Sequence, residues 1–211
     1  MTDAVDRRPG LPTTDLHERI REAAFALLLT EQRPIPAEEI ARASGAPMDA
    51  LLEMLDQLAS AGWIDRDTDG LITGSAGLSL TTGPHRIAID GTSFRTWCAY
   101  DSIGIAAALK ANAAIRTECA VCGRAIALDT QAGQPPPGRP ERLWLASRGT
   151  DLRGDFCDPT VLLCSPKHAA VWAERKGGHG RAVDLAEGAR LGAESWASCA
   201  AAVDIVRISS A

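Results

Sequence analysis

A chain of 211 residues with 45% hydrophobic side chains can bury a core as one large domain or two small ones, which excludes disorder as the default state. No run approaches the roughly 18 consecutive apolar residues of a membrane span. The opening "MTDAVDRRPGLPTTD" lacks the basic-then-apolar order of a secretory signal, so a cytoplasmic location is expected. The net charge of -5 argues against phosphate-driven nucleic-acid binding, which needs clustered Lys and Arg to displace counterions.

Residues 1–13, with Pro9 and Pro12, read as a leader. "TTDLHERIREAAFALLLTEQ" then places Leu16, Ile20, Ala24, Leu27 and Leu28 at helical spacing behind Thr13 or Thr14 as N-cap. Pro36 opens a short helix that Gly45 ends, and Pro47 opens another carrying Leu51, Leu52, Leu55 and Leu58. "WIDRDTDGLIT" predicts two strands around an Asp-Gly turn. Helices followed by a hairpin give the winged-helix order, so residues 14–76 are expected to form a winged-helix-like domain. The helix in the recognition position, "PMDALLEMLDQLASAG", holds no Lys or Arg, which favours a structural or interaction role over DNA binding.

Further on, "LSLTTGPHRIAIDG" predicts a strand pair about a Gly-Pro turn, and "TWCAYDSIGIAAALKANA" a helix from about 97 to 110. "IRTECAVCGRAIALDT" reads as two strands broken by a knuckle at 119–123. "QAGQPPPGRPE" and "RGDFCD" are loops, "RLWLAS" and "PTVLLCS" strands, and Pro166 opens a helix followed by Ala-rich helices to the end. The fold class is therefore α+β, with a mixed α/β catalytic domain containing antiparallel strands over residues 77–211.

Six cysteines in a chain of this length, with a reducing compartment expected, read as thiols serving as packing, metal ligands or nucleophiles. Cys98 and Asp101 stand three residues apart, within reach of each other on one helix face. The carboxylate raises the thiol's pKa and the helix N-terminus opposes it, an arrangement suited to a thiol that hands its proton to the acid. Cys119-Ala-Val-Cys122-Gly is a knuckle suited to half of a tetrahedral zinc site. The other half would have to come from Cys157, Cys164 or a histidine. Cys157 and Cys164 are not closely paired, and His17, His85, His168 and His179 form no ligand pattern, so zinc is not favoured. Cys164 and Cys199 read as core residues. No P-loop, dinucleotide fingerprint or nucleophile elbow is present.

The block "FRTWCAYDSIGIAAALKANAAIRTECAVCGRAIAL", followed by "GDFCDPTVLLCS", resembles the alkylmercury lyases of bacterial mercury resistance, whose members also carry a winged-helix-like front domain. The similarity covers about residues 14 to 200, and its most specific element is Trp97-Cys98-Ala99-Tyr100-Asp101. The resemblance implies Cys98, Asp101 and Cys157 as the catalytic trio, Cys119 as structural, and Trp97 and Tyr100 beside the organic group of the substrate. It implies detoxification by cleavage of the carbon–mercury bond with no resident cofactor. Hg(II) is then left as product on Cys98 and Cys157 until an external thiol, or a mercuric reductase as acceptor, removes it. Two positions depart from the family's better-known members: Cys122 replaces a threonine, and Asp158 replaces a cysteine that follows the second catalytic one. Two other readings compete: a non-enzymatic metal-binding or metal-sensing protein with zinc or a soft metal on Cys119, Cys122 and Cys157, and an enzyme of this fold turned to different chemistry.

Overall fold

The structure, a computed structural model, describes residues 14–147 and 149–209, so the expected leader lies outside the described residues. Helix α1 (Asp15–Glu31) begins where Thr14 Oγ1 accepts the His17 N–H. Its face of Ile20, Ala24, Phe25 and Leu28 is wholly buried, as an apolar stripe at helical spacing requires. Helix α2 (Ala37–Ser44) stops at Gly45, which adopts φ 68°, and α3 (Met48–Ser60) starts behind Pro47. Strands β1 (Ile64–Arg66) and β2 (Ile72–Ser75) then pair around a turn in which Asp67 Oδ1 accepts the N–H groups of Asp69 and Leu71. Ile35 bridges back to Ile72 and ties the helices to the hairpin.

That hairpin opens a larger sheet. Strand β2 pairs with β3 (Leu78–Ser79), and the antiparallel order is β1-β2-β3-β5-β4-β6-β7, with β4 at His85–Ile89, β5 at Thr92–Thr96, β6 at Ala113–Glu118 and β7 at Ala125–Thr130. The sheet therefore runs without a break past residue 76. The strand pair expected about Gly83–Pro84 is corrected here: β3 pairs with β2 and β5, and β4 forms its hairpin with β5. The reason is local, because Asp90 and Gly91 take φ 49° and 89°, the double positive φ that suits a two-residue hairpin turn.

A second sheet, in the order β10-β8-β9, consists of β8 (Arg142–Ala146), β9 (Leu162–Leu163) and β10 (Gly180–Val183). Between β8 and β9, Leu152–Cys157 wind into a π-helical turn where the sequence suggests only a loop; Asp151 caps it by accepting the Arg153 N–H at 2.9 Å. Helices α4 (Ala99–Ala108), α5 (Pro166–Arg175), α6 (Leu185–Ser195) and α7 (Ala197–Ser209) complete the fold. Helix α4 is buried along almost its whole length. It crosses α6 at a glycine pair, where a Cβ on Gly104 would lie 3.1 Å from the Gly192 Cα. Among the described residues no helix is long and apolar enough to cross a membrane.

Candidate active site

Cys98 sits at the junction of β5 and α4, in extended backbone (φ -140°, ψ 171°), and is the N-cap of α4. Its own N–H donates to Asp101 Oδ2 at 2.7 Å, while its sulfur accepts the Asp101 N–H. This is a capping box with cysteine where serine or threonine usually stands, so the three-residue spacing is first of all the spacing of a helix start. The helix accordingly begins at Ala99 and not at Trp97. Thr96 Oγ1 donates to the Cys98 carbonyl at 3.1 Å and bonds Ser102 Oγ at 2.5 Å, which holds the junction rigid.

Cys157 arrives from the connection between β8 and β9, at the last position of the π-helical turn. Cys98 Sγ, Cys157 Sγ and an Asp101 carboxylate oxygen lie within 4.8 Å of one another, and all three residues are buried. Thr160 locks the two segments together. Its carbonyl accepts the Ala99 N–H at 3.2 Å, its N–H donates to the Cys157 carbonyl at 3.1 Å, and its hydroxyl accepts the Ala146 N–H at 3.2 Å.

Burial dominates the electrostatics. It pushes the Cys98 thiol well above its ordinary range, and the hydrogen bond with Cys157 and the negative charge of Asp101 add to the rise. The helix N-terminus, which on sequence grounds opposes that rise, is outweighed. Burial also lifts Asp101 to about 6, against hydrogen bonds from Cys98 and the positive charge of Arg153. At neutral pH the site thus rests with Cys98 as a thiol beside a carboxylate whose proton affinity lies near the middle of the physiological scale.

Arg153 borders the site although sequence reasoning does not single it out. Its guanidinium lies 3.3 Å from the centre of the Trp97 ring, its Nε donates to the Gly62 carbonyl at 2.6 Å, and its Nη2 pairs with Asp65 Oδ1 at 2.8 Å. Trp97 Nε1 donates to the other Asp65 oxygen at 2.8 Å. The β1 hairpin therefore fixes both the tryptophan and the arginine that bracket the trio. The Arg153–Asp65 pair has no sequence signal beyond two unpaired-looking charges, since the residues stand 88 positions apart.

A cleft of about 530 Å³ opens beside the trio, lined among others by His85, Trp97, Cys157, Asp158 and Val161. Trp97 thus borders the cleft at the Cys157 end. Tyr100 points elsewhere: its hydroxyl bonds Ser195 Oγ at 2.7 Å and its ring meets Trp196 and Phe156 edge-on, with centroids 5.1 and 6.4 Å away.

The remaining thiols form a second group. Cys119, Cys122, Cys164 and His168 bring one ligand atom each within 4.8 Å of the others. Two sequence expectations are corrected by this: His168 is not an isolated histidine, and Cys164 is not simply a core residue. Cys157, suggested as a companion of Cys119 and Cys122, belongs to the trio instead. The separation of Cys157 from Cys164 in sequence hides the reason, since the chain turns through Asp158–Thr160 and β9 before reaching the knuckle. Burial works to raise the Cys119 thiol, but N–H donors from Cys164, Val121 and Cys122 together with the His168 ring hold it at about 6. Burial and the neighbouring sulfurs of Cys119 and Cys122 lift Cys164 to about 11.

Comparison with known proteins gives the arrangement a setting. Residues 78–197 match the family model described as MerB, alkylmercury lyase. The chain is 28% identical over 149 residues to an alkylmercury lyase of Staphylococcus epidermidis, covering 69% of this chain and 67% of that protein. It is 29% identical over 151 residues to an alkylmercury lyase of Streptomyces lividans, covering 70% and 68%. The crystal structure of the mercury-bound form of MerB2 superimposes with a TM-score of 0.73 over 89% of this chain and 100% of that one, at 19% identity, a likeness of fold.

Proposed function

The chain belongs to the alkylmercury lyase family, and from that premise we propose that it cleaves the carbon–mercury bond of organomercurials by protonolysis at Cys98, Asp101 and Cys157. The observation that carries this reading is the buried convergence of two sulfurs and one carboxylate oxygen within 4.8 Å, drawn from the start of α4 and from the π-helical turn between β8 and β9. Mercury(II) is a soft ion and thiolates are its preferred ligands.

Cys157 borders the cleft, while Cys98 is completely buried. Cys157 therefore acts first: its sulfur displaces the labile ligand X from R–Hg–X, and its proton leaves to solvent with X. Cys98 follows, giving its thiol proton to Asp101 as its sulfur joins the mercury. Two thiolates on the metal push electron density onto the carbon, and the protonated Asp101 delivers its proton there as the bond breaks. The products are R–H and Hg(II) held by Cys98 and Cys157, and the balance is complete without any redox partner. Small cellular thiols, or a thiol-bearing acceptor such as mercuric reductase, then remove the metal.

Asp101 suits the shuttle because its carboxyl, lifted to about 6, both accepts a proton at neutral pH and gives it up again. Arg153 and Trp97 position it and close one side of the site. Helix α3 presents Asp49, Glu53 and Asp56 and no basic residue, so the winged-helix-like front of the chain serves as a scaffold for this site and does not read nucleic acid. The test is direct: phenylmercury acetate with excess thiol is expected to release benzene, and purified protein that binds the compound without releasing benzene refutes the reading.

A further inference from the structure

We propose that Cys119, Cys122, Cys164 and His168 form a structural zinc site, distinct from the trio, that clamps the segment carrying Cys157 to the large sheet. The spacings fit that ion. Cys164 Sγ lies 3.1 Å and Cys119 Sγ 3.4 Å from His168 Nδ1, and Cys122 Sγ lies 3.8 Å from Cys164 Sγ. Zinc bonds of about 2.0–2.3 Å in a tetrahedron put a sulfur and a nitrogen about 3.5 Å apart and two sulfurs about 3.8 Å apart, so the Cys119–His168 and Cys122–Cys164 spacings already match and the Cys164–His168 contact has only to open by a few tenths of an ångström.

The scaffold on each side is preformed. On one side the chain turns between β6 and β7 through a tight knuckle, in which Cys119 N–H donates to the Arg124 carbonyl at 2.9 Å and Gly123 N–H to the Cys119 carbonyl at 2.8 Å. Gly123, at φ 70°, supplies the backbone conformation this turn needs. On the other side Cys164 follows β9 directly, and His168 lies in the first turn of α5, its N–H held by Ser165 Oγ at 3.3 Å. The Cys164 N–H reaches across to Cys119 Sγ at 3.4 Å, the kind of backbone donor that steadies a metal-bound thiolate.

The donor set selects the metal and its role. Three sulfurs and an imidazole exclude the hard, oxygen-seeking ions Ca²⁺ and Mg²⁺ and suit zinc. Four protein ligands fill a tetrahedron and leave no open position, which marks a structural centre and not a catalytic one. Its mechanical effect follows from the connections. The knuckle's Ala120 N–H bonds the Leu162 carbonyl of β9 at 3.4 Å, and Trp172 Nε1 of α5 donates to the Pro159 carbonyl at 3.2 Å, two residues beyond Cys157. Metal at the cluster would hold both of these to the sheet whose strand β5 leads into Cys98.

The experiment is metal analysis of the full chain by plasma mass spectrometry, together with cobalt substitution. Wild-type protein is expected to carry one equivalent of zinc, and Cys98→Ser, Cys157→Ser and Cys199→Ser to keep it. In Cys122→Ser the content should fall to background. Cobalt(II) exchanged into the wild type should give the intense visible bands of a tetrahedral ion with thiolate charge transfer. His168→Cys should retain the metal and strengthen that charge-transfer band, a result that does not depend on the folding of the serine variant. Zinc absent from the wild type with no tetrahedral cobalt spectrum would overturn the proposal, and so would zinc that survives Cys122→Ser but is lost from Cys98→Ser.

Discussion

Replacing Asp101 with Asn is expected to stabilise the protein at neutral pH while removing its protonolysis. Burial lifts the Asp101 carboxyl from 3.8 to about 6, so the folded protein binds its proton more tightly than the unfolded chain does. The stability that this group contributes is fully present below 3.8 and is lost as the pH rises through about 6. Each tenfold step in proton affinity is worth about 1.4 kcal/mol, so keeping the carboxylate ionised inside the fold costs about 3 kcal/mol at neutral pH. Asn removes that cost yet keeps an oxygen for the Cys98 N–H, now met at 2.7 Å, so the start of α4 should survive. The assay is urea unfolding of both proteins under reducing conditions from about pH 4 to pH 7.5. The stability of Asp101→Asn relative to the parent should climb by about 3 kcal/mol across that range, most of it between pH 4 and 6. Benzene release from phenylmercury acetate should meanwhile fall by about 10²–10⁴-fold, the usual worth of a positioned proton donor. A difference in stability that stays flat with pH, or that moves toward the parent, would show that Asp101 is not held ionised against burial and would remove the basis for its role as shuttle.

In the wild type, kcat/KM should fall as the pH drops through about 6, because a protonated Asp101 cannot accept the Cys98 proton. Arg153→Met should move that acid limb to higher pH, since the guanidinium is one of the charges that hold Asp101 down; an unmoved limb would count against the assignment. Cys98→Ser is expected to capture R–Hg on Cys157 without releasing R–H, visible as an adduct that mass spectrometry of peptides places on Cys157, whereas Cys157→Ser should carry no adduct on Cys98. Gly77→Ala should lower stability by about 1–3 kcal/mol in thermal melts and reduce activity. Gly77 holds φ 92°, and a Cβ there would come 2.5 Å from the Asp101 Cγ.

Legibility in the sequence followed the range of the interactions. Helices α1, α2 and α3 could be read because the apolar spacing of α1 and α3, the Gly45 stop of α2 and the Pro47 start of α3 are all local. Trp97-Cys98-Ala99-Tyr100-Asp101 could be read for the same reason, as chemistry and cap share one short segment. The hairpin at Asp90–Gly91 carries as good a turn signal as the one at Asp69–Gly70, yet the nearby Gly83–Pro84 competes with it, and only pairing with β5 decides between them. The π-helical turn before Cys157 has no periodicity to announce it. Arg153 on Trp97 and Cys164 with His168 on the knuckle were illegible for a different cause: each joins segments more than forty residues apart, and nothing local distinguishes a residue that will meet such a partner.

The two departures from the better-known family pattern turn out to occupy different places, and this separates their consequences. Cys122 faces Cys164 at 3.8 Å and belongs to the knuckle group, so an added thiol there extends a metal-binding set and leaves the trio's composition alone. Asp158 caps the π-helical turn, its N–H on the Arg153 carbonyl at 2.8 Å, and its exposed carboxylate borders the cleft next to Cys157. Its charge adds to those of Arg86, Arg116 and Glu118, which line the same cleft. It favours organomercury cations in which the labile ligand has already left, and it repels organic groups that carry a carboxylate. Asp158→Asn is expected to raise turnover of an anionic substrate such as p-mercuribenzoate relative to phenylmercury, with a ratio that shrinks as salt is added, and an unchanged ratio would refute that contribution.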